Sequence, residues 1–152
     1  MRKHSIAMLW LLLYATSAYA YKGDDRVPGP VELRLLPAYC GDTQIISRLY
    51  DRQQAPGNYD AHTKPFIDLY GEDFWHMHHY CFGLNRVIQA DRAFDSATRN
   101  RRLEESIGEY DYVIKSIRPD SILQPELHTR KGMSLVRLKR TAAAIVEFEK
   151  AI

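Results

Sequence analysis

Three imidazoles and a thiol crowd one short stretch: His76, His78, His79 and Cys81, set among Trp75, Tyr80 and Phe82. Such side chains ligate borderline and soft metals, and imidazole also carries protons near neutral pH. A structural zinc site needs four ligands converging on one ion. On a helix His76 and His79 share a face, whereas the neighbours His78 and His79 point about 100° apart. His76 and His79 with Cys81 make a partial set, and the remainder must come from distant Cys40 or His128. The spacing matches no zinc signature, and no Cys-x-x-Cys-His haem attachment occurs. The plainer use is structural, with the imidazoles hydrogen-bonding to an N-terminal segment or lining a helical surface. Metal or cofactor binding at His76, His79, Cys81 and Cys40 is therefore a second reading, and no cofactor is expected.

Other catalytic signatures are missing. There is no glycine loop to cradle phosphate, no nucleophile elbow and no His-Glu-x-x-His pair. Glu104, Glu105 and Glu109 read as solvent-facing partners of Arg101 and Arg102 at helical spacing. Asp91 and Asp95 read as surface residues, without the burial that tunes a general acid or base. The expectation is a protein that is not an enzyme.

The elements that must hold these residues divide into two regimes. From Tyr21 to about Glu72, five prolines and five glycines leave no room for long regular elements. One short helix is expected from Asp42 or Thr43 to about Arg52, then a loop over Gln53 to Lys64. Leu33, Leu35, Leu36, Phe66 and Ile67 make this stretch too apolar for a linker, so an ordered but irregular wrap is expected. After Gly71 the period changes. Phe74, Met77, Cys81, Leu84 and Ile88 form one helical stripe, widened by Trp75 and Phe82, and the helix should reach about Phe94. A turn is expected over Asp95 to Asn100, then a helix from about Arg101 that Pro119 stops. Pro125 suits the first turn of a third helix. A fourth opens near Thr141 and is still running at Ile152.

Residues 1–20 carry the parts of a secretory signal. Arg2, Lys3 and His4 make a positive start, Ile6 to Tyr14 an apolar run, and Ala18-Tyr19-Ala20 a small-residue cleavage site, which predicts a mature chain from Tyr21. The apolar run falls short of the about 20 residues needed to span a bilayer. Export is expected, to the periplasm in a Gram-negative bacterium and otherwise to the outside, with no stable membrane insertion after cleavage. Removing Arg2 and Lys3 from 21 basic residues leaves 19 against 19 acidic ones, so the mature chain is about neutral. It lacks the basic footprint of a nucleic-acid binder, and 45% hydrophobic residues suffice for a core. In an oxidising compartment Cys40 and Cys81, the two cysteines of the chain, are most simply read as one disulfide. Two buried thiols or metal ligation are the alternatives.

The all-helical pattern repeats. After Pro125 come Gly132 and Leu135 in one helix and Ala144, Phe148 and Ala151 in the next, small residues alternating with larger apolar ones. On these residues the last 28 positions resemble a tetratricopeptide (TPR) unit. The preceding hairpin resembles it divergently: Ser106, Ile107, Tyr110, Val113 and Ile114 match the second helix, 38 residues upstream. Its first helix fits two frames, one with Trp75 and Phe82 aromatic and His79 at the small position, the other with Gly83 small and Arg86 in an aromatic place.

The resemblance implies an all-α fold of antiparallel helical hairpins in a right-handed superhelix, preceded by the Pro/Gly-rich wrap. The expected divisions are a signal at 1–20, an irregular extension at 21–72, a divergent hairpin at 73–119 and a repeat unit at 125–152. The resemblance also implies an inner groove for a peptide or protein partner, lined by Glu126, Thr129, Met133, Val136 and Arg137. Such arrays use about three units for stability, so an uncovered apolar face here would be a docking surface.

Overall fold

The computed structural model describes residues 23–43 and 63–152, and among them every regular element is helical. The signal segment, most of the helix expected to Arg52 and the loop expected from Gln53 to residue 62 lie outside the described residues. Two short elements come first: α1 (Pro30–Leu33) and a 3-10 turn (Ala38–Asp42). Then come α2 (Lys64–Tyr70), a second 3-10 turn (Gly71–His76), α3 (Met77–Asp91), α4 (Ser96–Ser116), α5 (Gln124–Arg137) and α6 (Thr141–Lys150).

Gly71 separates α2 from the second 3-10 turn because its φ of 59° lies in the left-handed region that a side chain disfavours. The long helix starts at Met77, since 71–76 wind more tightly first, and it ends at Asp91, short of the expected Phe94. A larger correction concerns α4. Asp95 to Asn100 are no turn: the Asp95 carboxylate accepts the Thr98 backbone N–H at 2.7 Å, and the helix runs from Ser96. Polar residues without an apolar stripe look like loop, but an aspartate cap answers the orphan N–H groups of a first turn. The hairpin connection thus shrinks to Arg92 through Asp95.

Pro125 stands in the first turn of α5. The helix closes with a double lock: Arg140 N–H donates to the Leu135 carbonyl and Lys139 N–H to that of Val136, both at 2.9 Å. Lys139 takes φ 61° to make this possible, the left-handed stop that usually falls to glycine. The chain reverses in three residues, and α6 follows.

Successive helices pack in chain order, α3 on α4, α4 on α5 and α5 on α6. The contacts are made by small residues under rings. A Cβ on Gly83 would stand 2.5 Å from the Tyr110 ring, and one on Gly132 would stand 2.5 Å from the Phe148 ring. The same glycine-to-aromatic contact therefore closes both hairpins. In the first hairpin the residue under the ring is Gly83, and Arg86 is buried one turn on. Between hairpins, the Ser106 hydroxyl donates to the Leu103 carbonyl at 2.7 Å, so Ser134, 3.0 Å away, donates to Ser106. Ala144 and Leu135 are buried, and Ala151 is half-buried.

Helix α3 is covered nearly all round, with Met77, Tyr80, Cys81, Phe82 and Leu84 buried. One side meets α4. The N-terminal residues lie against the other sides, held at points along the helix. Asp25 pairs with Arg86 at 2.6 Å and with Arg102 at 2.8 Å. Asn85 donates to the Arg26 carbonyl at 3.0 Å, and Glu32 pairs with Arg92. Tyr39 stacks on Tyr80 with centroids 6.4 Å apart, and Cys40 is joined to Cys81 in a disulfide with a Cα separation of 5.6 Å. Arg86 beside Asp25 holds that carboxyl at about 2, well below its usual range.

Candidate functional site

Helices α3 and α5 flank a cleft of about 220 Å³. Leu84, Val87 and Ile88 line it from α3; Arg130, Met133, Ser134 and Arg137 line it from α5. Tyr110 of α4 lies beneath, and Leu35, Leu36 and Pro37 of the N-terminal segment close one side. The arrangement comes from helical spacing. Arg130, Met133, Ser134 and Arg137 fall on one stripe of α5, and Ser134 and Gly132 anchor the opposite faces of that helix on α4 and α6.

Of the five residues expected at a groove, Met133 and Arg137 line the cleft, while Glu126, Thr129 and Val136 do not. Glu126 is engaged elsewhere, accepting the Tyr80 hydroxyl at 2.5 Å and pairing with Arg130 at 3.3 Å. The Thr129 hydroxyl donates back to the Pro125 carbonyl at 2.8 Å, as threonine on a helix commonly does. Val136 is exposed beside the cleft. Arg130 and Ser134 escaped the sequence reading, although the i, i+3, i+7 spacing of Arg130, Met133 and Arg137 carried the signal. Leu35 to Pro37 carried none, because only the folded chain brings them to α3.

The rim is apolar and open, with Met133 51% exposed and Leu35 62%. The floor is dry. Tyr110 is fully buried, and its hydroxyl has no hydrogen-bond partner among the described residues. Burial pushes that hydroxyl's pKa up, so it stays protonated. An unmet buried hydroxyl costs roughly 1–3 kcal/mol. Tyr110→Phe keeps the ring over Gly83 and removes the unmet group, so it is expected to stabilise by about 1 kcal/mol. Urea unfolding at neutral pH measures this, and a loss of stability would reveal a partner for the hydroxyl.

The histidine cluster resolves into separate tasks. His78 is buried and donates from Nδ1 to the Trp75 carbonyl at 2.9 Å; burial, and after it the neighbouring His79, lowers its pKa to about 4. His79 donates from Nδ1 to Glu109 at 2.5 Å and lies against the Tyr112 ring at 3.9 Å. His76 meets the same tyrosine, its Nδ1 3.4 Å from the Tyr112 hydroxyl. The shared face of His76 and His79 is therefore spent on α4. Glu109 is a correction too. It is buried, paired with His79 and with Arg26 at 3.4 Å, and is not a solvent-facing partner of Arg101 and Arg102.

The metal reading loses its thiolates, because Cys40 and Cys81 are bonded to each other. The more distant imidazole, His128, lies on α5 and donates to Glu147 at 2.7 Å. Among the described residues no group of three or more His, Cys, Asp or Glu side chains converges as an ion site would.

Glu147 is the most heavily used carboxylate in the second hairpin. It accepts from His128, from Lys131 at 3.0 Å and from Lys150 at 3.2 Å, with its side chain 8% exposed. Burial alone would raise its pKa, but the donors outweigh burial and bring it from 4.5 to about 2. A depressed folded value gives stability that is complete above pH 4.5 and fades as pH falls towards 2. Glu147→Gln is therefore expected to lower stability by about 2 kcal/mol at neutral pH, with the gap to wild type closing between pH 4.5 and 2. Thermal melts across that range test it. A gap independent of pH would assign the effect to packing.

Among the described residues no helix is long and apolar enough to cross a membrane. A scan against protein-family models and searches of curated proteins and of solved structures find no match.

Proposed function

We propose that this chain is an exported interaction scaffold that holds a peptide, or a segment of a partner protein, in the cleft between α3 and α5. The observation that carries the reading is the cleft itself, an open apolar trough between the first helices of two consecutive hairpins. That is where the resemblance to TPR units puts a binding groove. In this reading the two hairpins are the start of a helical superhelix, and the N-terminal segment wraps α3 to complete one wall. Export rests on the residue pattern of 1–20 and on the disulfide, which persists in oxidising compartments. Apolar rim residues together with a few convergent polar groups are the usual make-up of a recognition site.

A random-peptide library displayed on phage, selected against the oxidised protein, tests the reading. Enriched peptides are expected to bind wild type and to lose at least ~10-fold in affinity to Met133→Glu, a change at a half-exposed position that leaves the core alone. No enrichment, or binding indifferent to Met133→Glu, would overturn the proposal. The mass of the protein recovered outside the cytoplasm tests the second half, with a mature chain expected to begin at Tyr21.

A further inference from the structure

The cleft's charge is one-sided. Its lining includes two guanidinium groups, Arg130 and Arg137, and no carboxylate. Both arginines have acidic neighbours outside the lining, Glu126 for Arg130 and Asp91 for Arg137. Those pairs are weak holds. The Arg130–Glu126 contact is 3.3 Å with both side chains 42% exposed, and Asp91 is more exposed still. Solvated pairs of this kind contribute ~0–1 kcal/mol, so an incoming carboxylate placed against the apolar wall can take the guanidinium over.

Spacing adds a second constraint. Arg130 and Arg137 are seven residues apart on α5, which is about 10.5 Å along the axis, and Met133 stands between them. A peptide in the polyproline-II conformation advances about 3.1 Å per residue with three residues per turn, so side chains three residues apart share one face and stand about 9.3 Å apart, whereas in a flat strand they would point to opposite faces. The volume of about 220 Å³ is below the roughly 300–1,000 Å³ of a site for a whole small molecule. It suits one large apolar side chain. Leu84, Val87, Ile88 and Met133 offer that side chain walls without a hydrogen-bonding demand.

We infer that the cleft recognises an acidic peptide in the polyproline-II conformation, two carboxylate side chains three residues apart on one face with one large aliphatic residue between them, the carboxylates meeting Arg130 and Arg137 and the aliphatic residue entering beside Met133. This rests on the groove reading above and names the partner's chemistry. Arginine suits the task because its planar fork binds carboxylate through two parallel hydrogen bonds.

The test uses the full oxidised protein and four fluorescein-labelled, amidated peptides in fluorescence anisotropy. The probe is Gly-Asp-Leu-Ala-Asp-Gly. Its controls carry asparagine for both aspartates, lysine for both aspartates, or serine for leucine. The probe is expected to bind at least ~10-fold tighter than each control at about 0.05 M salt, the advantage over the asparagine control shrinking at about 0.5 M. Arg130→Gln and Arg137→Gln are each expected to weaken the probe by ~5-fold or more without weakening the asparagine control. Circular dichroism melts matching wild type keep these variants interpretable. If the asparagine or lysine peptide binds as well as the probe and loses that binding in Met133→Glu, the groove stands and the acidic partner falls. If no peptide shows binding sensitive to Met133→Glu, and the phage selection fails too, both fall.

Discussion

Gly83→Leu is expected to leave the protein without a cooperative thermal unfolding transition, a larger effect than any other single substitution named above. The reason is local and steric. A first carbon at position 83 would already sit 2.5 Å from the Tyr110 ring, and that ring is fully buried with no direction in which to retreat. Adding even single methylenes to a filled core costs about 1–3 kcal/mol, and leucine brings four carbons to a contact that has room for none. Gly83→Ala is the milder case. Alanine returns about 1 kcal/mol of helix propensity, so a net loss of about 1–2 kcal/mol is expected.

The matching position in the second hairpin gives an internal control. Gly132 has the same 2.5 Å approach, but to Phe148, whose ring is only half-buried and can swing outward. Gly132→Ala should therefore fall within about 1 kcal/mol of wild type, whereas Gly132→Leu should destabilise clearly. Circular dichroism melts of the four variants rank the effects. Equal tolerance at 83 and 132 would show that the rings, and not the glycines, set the helix spacing. A wild-type melt for Gly132→Leu would remove the packing on which the repeat resemblance stands.

Loss of the Cys40–Cys81 disulfide is expected to have the second largest effect. The bridge spans a sequence separation of 41, and closing such a loop lowers the entropy of the unfolded chain by the equivalent of about 4 kcal/mol. For a chain of this size that corresponds to a fall of roughly 15 °C in Tm. Both cysteines are fully buried, so replacing both by serine would add a packing cost to the entropic one. Reduction with dithiothreitol under mild denaturant is the cleaner experiment. It should also release residues 23–43 first, since the bridge is their covalent tie to α3 and the remaining holds are the Asp25–Arg86 and Glu32–Arg92 ion pairs and the partly buried Val27, Leu33, Leu36 and Tyr39 packed on the core. Limited proteolysis would then cut N-terminal to α2 before it cuts α3 or α4. A Tm unchanged by reduction would mean that the segment is held by its side-chain contacts alone.

Release of that segment has a bearing on binding. Leu35, Leu36 and Pro37 form one side of the cleft and lie three to five residues before Cys40. Reduced protein should accordingly lose affinity for any peptide selected on the oxidised form. The disulfide thus reaches the cleft through backbone tethering, without contributing an atom to its lining.

The helices themselves were legible from pattern. The stripe from Met77 to Ile88 lies on α3, with its first member Phe74 in the 3-10 turn before it; Pro119 comes shortly after the end of α4, and Pro125 stands in the first turn of α5, because periodicity and proline act within a few residues along the chain. A close approach of α5 and α6 at Gly132 was an expectation of the repeat resemblance; that the ring it meets is Phe148, sixteen residues on, comes from the packing of the two helices. The start of α4 was not, since Asp95 makes a cap only when the backbone after it is already helical. Nor was the fate of Glu109, whose partners His79 and Arg26 lie 30 and 83 positions away.

The cleft belongs to the same class. Met133 and Arg137 could be nominated from the spacing on α5, but Leu35 to Pro37 and Tyr110 reach it only after the chain has turned back on itself. Sequence by itself determined where the long helices run, though not where each begins, which faces are apolar and that two cysteines were there to pair. Tertiary structure decided which apolar faces are covered, which carboxylates are buried and which residues share a wall, because those outcomes depend on distances between segments that no local pattern encodes.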